Sequence, residues 1–521
     1  MDPTARSATR RPPDVDAYSQ RNEEKESSPR PSVTELSHHR ASHGSEAGTS
    51  AAAKNGEQWV TGVKLVALSI LLVLAMFLMM LDTSIIATAV PRITDEFRSL
   101  QDVGWYVTIY QLANATLQPL WGRVYDKFSN KSSFLASLVI FEVGSLCCGA
   151  AVSSRMLIAG RAVAGVGSAG LISGGLTITA SAVPLEKRAS LTAMLMGVAQ
   201  LGIAIGPLLG GAFTSYVTWR WCFYINLPVG GLLALGLLFL PIPDQYSKPN
   251  PRSLLRRLHR ELDLLGFALI APACIQLLLA LSWGGSKHAW DSPTIIGLFC
   301  GAGATGLLWL AWDWYRGDEA LIPFSIIGVR AVWSVQQTGY VIPFAMLAAV
   351  IGSISNGLYS TFSPTTPTGK WIGYQILNGI GRGVGMPMAI LAVQAALSPA
   401  DLAMGNSVVI FVQSLGTAIT LAISDAIFHG SLQSELPKQA PLVDVTAIIA
   451  AGATGFRSIV EEQDLPGVLA AFSISISRVF YLATGVSGLG LITSLGMGWV
   501  DVSKKRRRAQ NDDIPLQNLD A

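Results

Sequence analysis

Ionisable side chains inside long apolar runs are the residues of this sequence best placed to do chemistry. Each costs roughly 2.5–3.5 kcal/mol to insert into lipid, so each calls for a reason. Asp82 lies in Leu81-Asp-Thr-Ser-Ile-Ile-Ala-Thr-Ala-Val-Pro91, and Arg161 opens the run Arg161-Ala-Val-Ala-Gly-Val-Gly-Ser-Ala-Gly170. The two stand at similar depth in runs that cross in opposite directions. A carboxylate there alternates between pairing with the guanidinium and taking a proton, which is a coupling device; a static ion pair that orients two helices is the plainer alternative. Glu142, midway along another run, is either a second protonatable site or a hydrogen-bonded structural carboxyl. Arg382, among glycines, either attracts anions or snorkels. Asp313 and Asp425 sit near the ends of runs and receive no function.

Three further groups of residues stand out by spacing. The segment Gly122-Arg123-Val-Tyr-Asp126-Lys127-Phe-Ser-Asn-Lys131 opens on a glycine that permits a sharp turn out of a helix, and its mixed charges can pair with neighbouring helix ends. A generic basic loop has much the same composition. In Gly202-Ile-Ala-Ile-Gly206-Pro207-Leu-Leu-Gly210-Gly211 the glycines recur every four residues, giving a flat face for another helix, and Pro207 removes a backbone hydrogen bond. That combination suits a hinge or a seal between two compartments. Gln111, Asn114, Gln118, Gln200 and Gln375 are polar groups within apolar runs, which either line a substrate cavity or hydrogen-bond adjacent helices. No metal site is expected: His38, His39 and His43 lie in a polar tail without further ligands. Without a His-rich box or a nucleophile and base set, an enzyme is disfavoured and no cofactor is implied.

These residues need membrane helices to hold them. Of 521 residues, half are hydrophobic and only 14% charged, where a soluble domain carries about a quarter. A formal charge of +3 with scattered basic residues argues against a nucleic-acid partner. The five cysteines lie in or beside apolar runs and read as small apolar fillers. Residues 1–58 are polar and read as a disordered tail without a cleavable signal peptide. A bilayer core needs about 20 apolar residues per helix. Twelve runs qualify: 63–90, 103–121, 132–152, 156–182, 190–214, 222–242, 264–283, 293–314, 339–361, 371–397, 403–428 and 478–500. With the tail in the cytoplasm, inner segments hold 25 of the 37 Lys and Arg and outer loops hold 8. Both termini are then cytoplasmic, and 429–466 is an outer loop. The sequons at Asn114 and Asn130 fall in a span and in an inner loop, so neither should be glycosylated.

With these motifs in this order, the chain resembles the major facilitator superfamily, and within it the fourteen-helix drug:proton antiporters of filamentous fungi. Leu81 to Pro91 is similar to the branch's first-helix motif, and Gly122 to Lys131 to the superfamily's loop 2-3 motif. Arg161 to Gly170 is similar to the fourth-helix motif whose Arg is linked to proton coupling, and Gly202 to Gly211 to the fifth-helix antiporter motif. Trp219-Arg-Trp-Cys-Phe-Tyr-Ile-Asn-Leu-Pro-Val-Gly230 resembles the fungal segment that follows. The resemblance implies an all-α polytopic fold divided into a tail at 1–58, a six-helix half at 60–243, a linker with two extra helices at 244–318, a second half at 319–500 and a basic tail at 501–521. It departs from the family at one place. Ile322 to Trp333 is similar to the approach to the ninth helix, yet Gln337-Thr-Gly-Tyr-Val-Ile-Pro343 already resembles the start of the eleventh and Trp371 to Gly381 the twelfth. About two helices are missing between Trp333 and Thr338, leaving four in the second half and part of the cavity wall open to lipid.

The function implied is proton-coupled efflux of a small organic molecule such as a drug, toxin or secondary metabolite, at the plasma membrane or a vacuolar or vesicle membrane. The proton gradient drives it. Asp82 and Arg161 would couple protons, Gly122, Arg123, Asp126, Lys127 and Lys131 would form the inner gate, and Gly202, Gly206, Pro207, Gly210 and Gly211 the antiporter motif. Two rivals remain: an uptake symporter on the same fold, which the Gly202 to Gly211 motif opposes, and a transport-dead sensor, which the missing helices favour.

Overall fold

The computed structural model describes residues 59–99, 102–244, 248–249, 258–285, 288–323, 341–398, 400–449 and 456–495. Both predicted tails, the three tail histidines and the seam at Trp333 to Thr338 lie outside the described residues. Among the described residues the chain is all-α, with twelve long helices. They are α1 (Gly62–Phe97), α2 (Val103–Lys127), α3 (Asn130–Gly149), α4 (Ser154–Ala182), α5 (Leu185–Tyr216), α6 (Trp221–Phe239), α7 (Leu264–Trp283), α8 (Pro293–Arg316), α9 (Val341–Tyr359), α10 (Thr368–Ala396), α11 (Leu402–Gln439) and α12 (Leu465–Leu495). Each grows from one of the twelve apolar runs. In nine, length and apolarity suffice to cross a bilayer, and α9 holds a shorter apolar stretch. The other two, α2 and α10, are diluted by the polar groups singled out above, among them Asn114, Gln118, Gln375 and Arg382.

Local chemistry sets several helix ends. Ser129, Ser153 and Ser292 each accept a hydrogen bond from a first-turn N–H of α3, α4 and α8, satisfying donors that would otherwise be orphaned at a helix start. Asp263 caps α7 in the same way, from left-handed backbone at φ 46°.

Two expectations are corrected. The expected outer loop 429–466 begins too early and ends too late, because α11 runs on to Gln439 and α12 starts at Leu465 rather than 478. At 1.5 Å per residue, the 38 residues of α11 extend about 57 Å, against a bilayer core of about 30 Å. The extension is held by a satellite core of Leu432, Leu436, Ile448, Phe456, Val468 and Phe472, which gives the helix ends something to bury. The second correction concerns Gly122, which is helical rather than a turn: α2 continues to Lys127, and the chain leaves the helix at Phe128. Its missing side chain serves a contact instead, since a Cβ there would stand 2.8 Å from the Cβ of Ser407 on α11.

In the first half α1 lies along α5, α4 packs on both α2 and α3, and α6 closes against α1 and α3. In the second, α9 contacts α10 and α12, and α11 contacts α12. The pair α7 and α8, expected from the resemblance to be an insertion, pack on each other, and α7 also touches α2 and α11. The halves meet where α11 runs along α2 and α4, and where α10 meets α5. The main core is built from the first six helices and receives Ile390, Ala403 and Ile410 from α10 and α11.

Candidate functional site

The structure brings Asp82 and Arg161 together. Arg161 Nη1 lies 2.6 Å from Asp82 Oδ2, with side chains 1% and 0% exposed. The rest of each group is also engaged. Asn226 on α6 donates through Nδ2 to Asp82 Oδ1 at 3.0 Å and is 3.0 Å from the Ser145 hydroxyl. Arg161 Nε donates to the Tyr106 carbonyl at 3.1 Å, and the guanidinium stacks over the Tyr110 ring at 4.2 Å. Such a desolvated pair is stable only when its hydrogen bonds are filled this completely. Five helices, α1, α2, α3, α4 and α6, thus converge on one neutral ion pair. Sequence reasoning missed Asn226; its only signal was a lone amide within an apolar run.

Glycines of the antiporter motif seat α5 against the helix that carries Asp82. A Cβ at Gly202 would lie 2.6 Å from the Phe77 carbonyl, one at Gly206 would collide with Ser84 Oγ, and one at Gly210 with Thr88 Oγ1. Ser84 fills the gap by donating to the Gly202 carbonyl at 3.1 Å. Gly211 faces open space, and α5 runs unbroken through Pro207.

Of the cavity candidates, Asn114 and Gln118 are buried in a polar column. Asn114 donates to Ser168, Gln118 donates to Asn114 at 3.2 Å, Ser173 donates to Gln118 at 2.7 Å, and Ser407 of the second half donates to Ser173 at 3.1 Å. Gln200 lies between the halves with its amide 3.9 Å from the Met386 sulfur, while Gln111 and Gln375 are exposed.

At the end of α2 the residues expected to form a gate make a charged knot. Arg123, 6% exposed, donates to the Asp318 carbonyl at 3.2 Å, and Asp126 lies 3.8 Å from Arg123 and 3.3 Å from Lys127. Lys127 reaches Glu261 at 3.8 Å, and Lys131 donates to the Leu238 and Leu240 carbonyls that end α6. Arg123, Asp126, Asp318, Asp401 and Met404 line a cavity of about 280 Å³ where the first half, the inserted pair and the second half meet. Lys248, on the segment after α6, donates to the carbonyls of Tyr125 and Asp126 at 2.7 and 3.0 Å. Burial pulls its ammonium down to about 8, against the opposing pull of Asp244 and Asp126. Lys248 is therefore tied to the knot, a contact the sequence did not announce.

Comparisons with known proteins show the family. The Major Facilitator Superfamily profile matches residues 72–364. The chain is 46% identical over 503 positions to the MFS-type transporter pigP of Monascus ruber, covering 86% of this chain and 88% of that one. It is 41% identical over 560 positions to the efflux pump mlcE of Penicillium citrinum, covering 95% and 99%. The human organic anion transporter MFSD10 (TETRAN) superposes with a TM-score of 0.48 at 14% identity, covering 82% of this chain and 100% of that one. The pigP match takes in 86% of a 521-residue chain, so about 55 of its 503 aligned positions have no residue here. The chain belongs to the major facilitator superfamily, as a multi-pass membrane transporter rather than an enzyme.

Proposed function

We propose that this protein exports a small organic molecule, such as a drug, toxin or secondary metabolite, from the cytoplasm in exchange for protons. The observation that carries the reading is the buried Asp82–Arg161 pair, the one ion pair among the described residues with both side chains fully enclosed. A proton on Asp82 cancels its attraction for Arg161 and frees a cation held by the Tyr106 carbonyl and the Tyr110 ring. The helices that meet at the pair then have a second stable arrangement, which is what alternating access requires. Substrate loads from the cytoplasmic side while the knot around Arg123 and Asp126 is open; the knot closes, and release outward accompanies proton uptake by Asp82. Relatives named efflux pumps support the export direction, and the excess of Lys and Arg on the side of the knot supports a cytoplasmic gate with both termini inside. The plasma membrane is the expected location.

Collapsing the proton gradient tests the direction: retention of an exported dye should rise, whereas uptake symport would make it fall. Asp82→Asn should abolish the gradient-driven part. Export surviving that substitution would refute proton exchange at this site.

One observation favours a second reading, a transport-dead sensor. The roughly 55 positions absent relative to pigP are close to what two spans and their loop need, about 40–50 residues, and the second half has four helices among the described residues. Sequencing the transcript across the codons for Arg330 to Tyr340 separates the readings. An in-frame segment of that length restores fourteen helices and supports export; a continuous message favours the sensor.

A further inference from the structure

Glu142 is a half-buried acid with an enclosed carboxyl that the ion-pair mechanism does not use. It lies on α3 one turn from Ser145, and its carboxyl is seated over Gly230 on α6, one turn from Asn226. A Cβ at Gly230 would collide with Glu142 Oε1, so the glycine makes the seat. Both carboxyl oxygens are shut off from solvent and have no hydrogen-bond partner. The hydrogen-bonded structural carboxyl weighed from the sequence is therefore not what the structure contains. Another orphan lies one turn away: Asn226 Oδ1 is buried without a donor, although its Nδ2 serves Asp82 and Ser145. A bare carboxylate has nothing to offer that amide oxygen, whereas a carboxylic acid has the hydrogen it lacks. The charged and titratable groups on neighbouring elements include Asp82 on α1, Tyr110 on α2, Arg155 and Arg161 on α4, Cys222 and Tyr224 on α6, and Cys147 and Cys148 on α3 itself. Asp82 and Arg161 are already committed to each other.

We propose that Glu142 is a second proton-binding carboxyl of the transport cycle, linked to Asp82 through the Asn226 amide. With a proton on Glu142, its O–H turns to Asn226 Oδ1 and holds the Nδ2 hydrogens on Asp82 and Ser145. Loss of that proton to water releases the amide and loosens its grip on Asp82, so the two acids respond to each other without a proton passing through the amide. Glu142 acts as a positioning residue with its own proton. The inference rests on the proton-exchange reading above, and its test separates the two.

Infrared pH-difference spectra of the full chain in lipid vesicles report protonated carboxyl groups directly. The expected result is a carboxylic-acid carbonyl band that persists in Asp82→Asn and vanishes in Glu142→Gln. In everted membrane vesicles with ethidium as the transported probe, Glu142→Gln should also lower the order of the dependence on proton concentration from second towards first. A band unchanged by Glu142→Gln overturns the proposal, as does one lost only in Asp82→Asn. If Asp82→Asn retains gradient-driven ethidium transport, the exchange reading fails while the band still decides for Glu142. Should Glu142→Gln not fold, Gly230→Ala displaces the same carboxyl and must shift the band; an unshifted band is equally fatal.

Discussion

At the scale of single residues, the ion pair and the amide beside it set the energetics. Truncating one partner of a buried pair strands the other charge, at a cost of about 3–5 kcal/mol. Arg161→Ala should therefore lower the thermal unfolding temperature of the detergent-solubilised protein steeply, and adding Asp82→Asn should recover part of the loss. A double variant no more stable than the single one would contradict the pairing. Asn226→Leu leaves Asp82 Oδ1 and the Ser145 hydroxyl without their donor and should cost about 1–3 kcal/mol in the same measurement. Lys248 provides a test outside the membrane. Its folded value of about 8 lies below the ordinary 10.5, so the folded protein binds fewer protons than the unfolded one between those limits. Stability should thus rise as pH climbs from about 8 towards 10.5, and Lys248→Met should flatten that rise.

At the scale of helices, the spacing of the glycines decides which faces meet. Gly202, Gly206 and Gly210 form a stripe against Phe77, Ser84 and Thr88, whereas Gly211 points elsewhere. Gly206→Val should part α1 from α5 and abolish well-folded expression, while Gly211→Ala should stay within about 0.5 kcal/mol of the parent by thermal unfolding. Equal effects at the two positions would show that the stripe is not the contact. The inserted pair α7 and α8 is more than a spacer. Glu261 and Asp318, which flank it, contact Lys127 and Arg123, so the pair is built into the knot at the end of α2.

Across the whole molecule, one polar column links the first half to the second. It descends α2 and α4 from Asn114, one turn after Tyr110, through Gln118 and Ser173, and crosses to the second half at Ser407. Rocking of the halves must break the last link. With the two hydroxyl oxygens 3.1 Å apart, a Ser173→Cys/Ser407→Cys variant should close a disulfide under oxidation. Dye export should then stop and return on reduction; export that continues through a fully oxidised pair would mean the halves do not separate there.

Much of this was legible in the sequence, because lipid imposes a simple rule. Apolar runs of about 20 residues must become helices, so twelve of them fixed the number of long helices among the described residues and their order. The cost of burying charge singled out Asp82 and Arg161 before any contact was known. Sequence patterns could not assign partners, since an apolar run does not say which neighbour it meets. Asn226 reaches Asp82 across 144 residues, Ser407 reaches Ser173 across 234, and Gly122 marks a close approach by α11 rather than a turn. The ends of α11 and α12 escaped for a related reason. Their ends are held by a satellite core, and there packing rather than hydrophobicity decides where a helix stops. Lipid solubility is a property of each segment and can be read locally; pairing of buried polar groups belongs to several segments at once, and only the tertiary structure decided it.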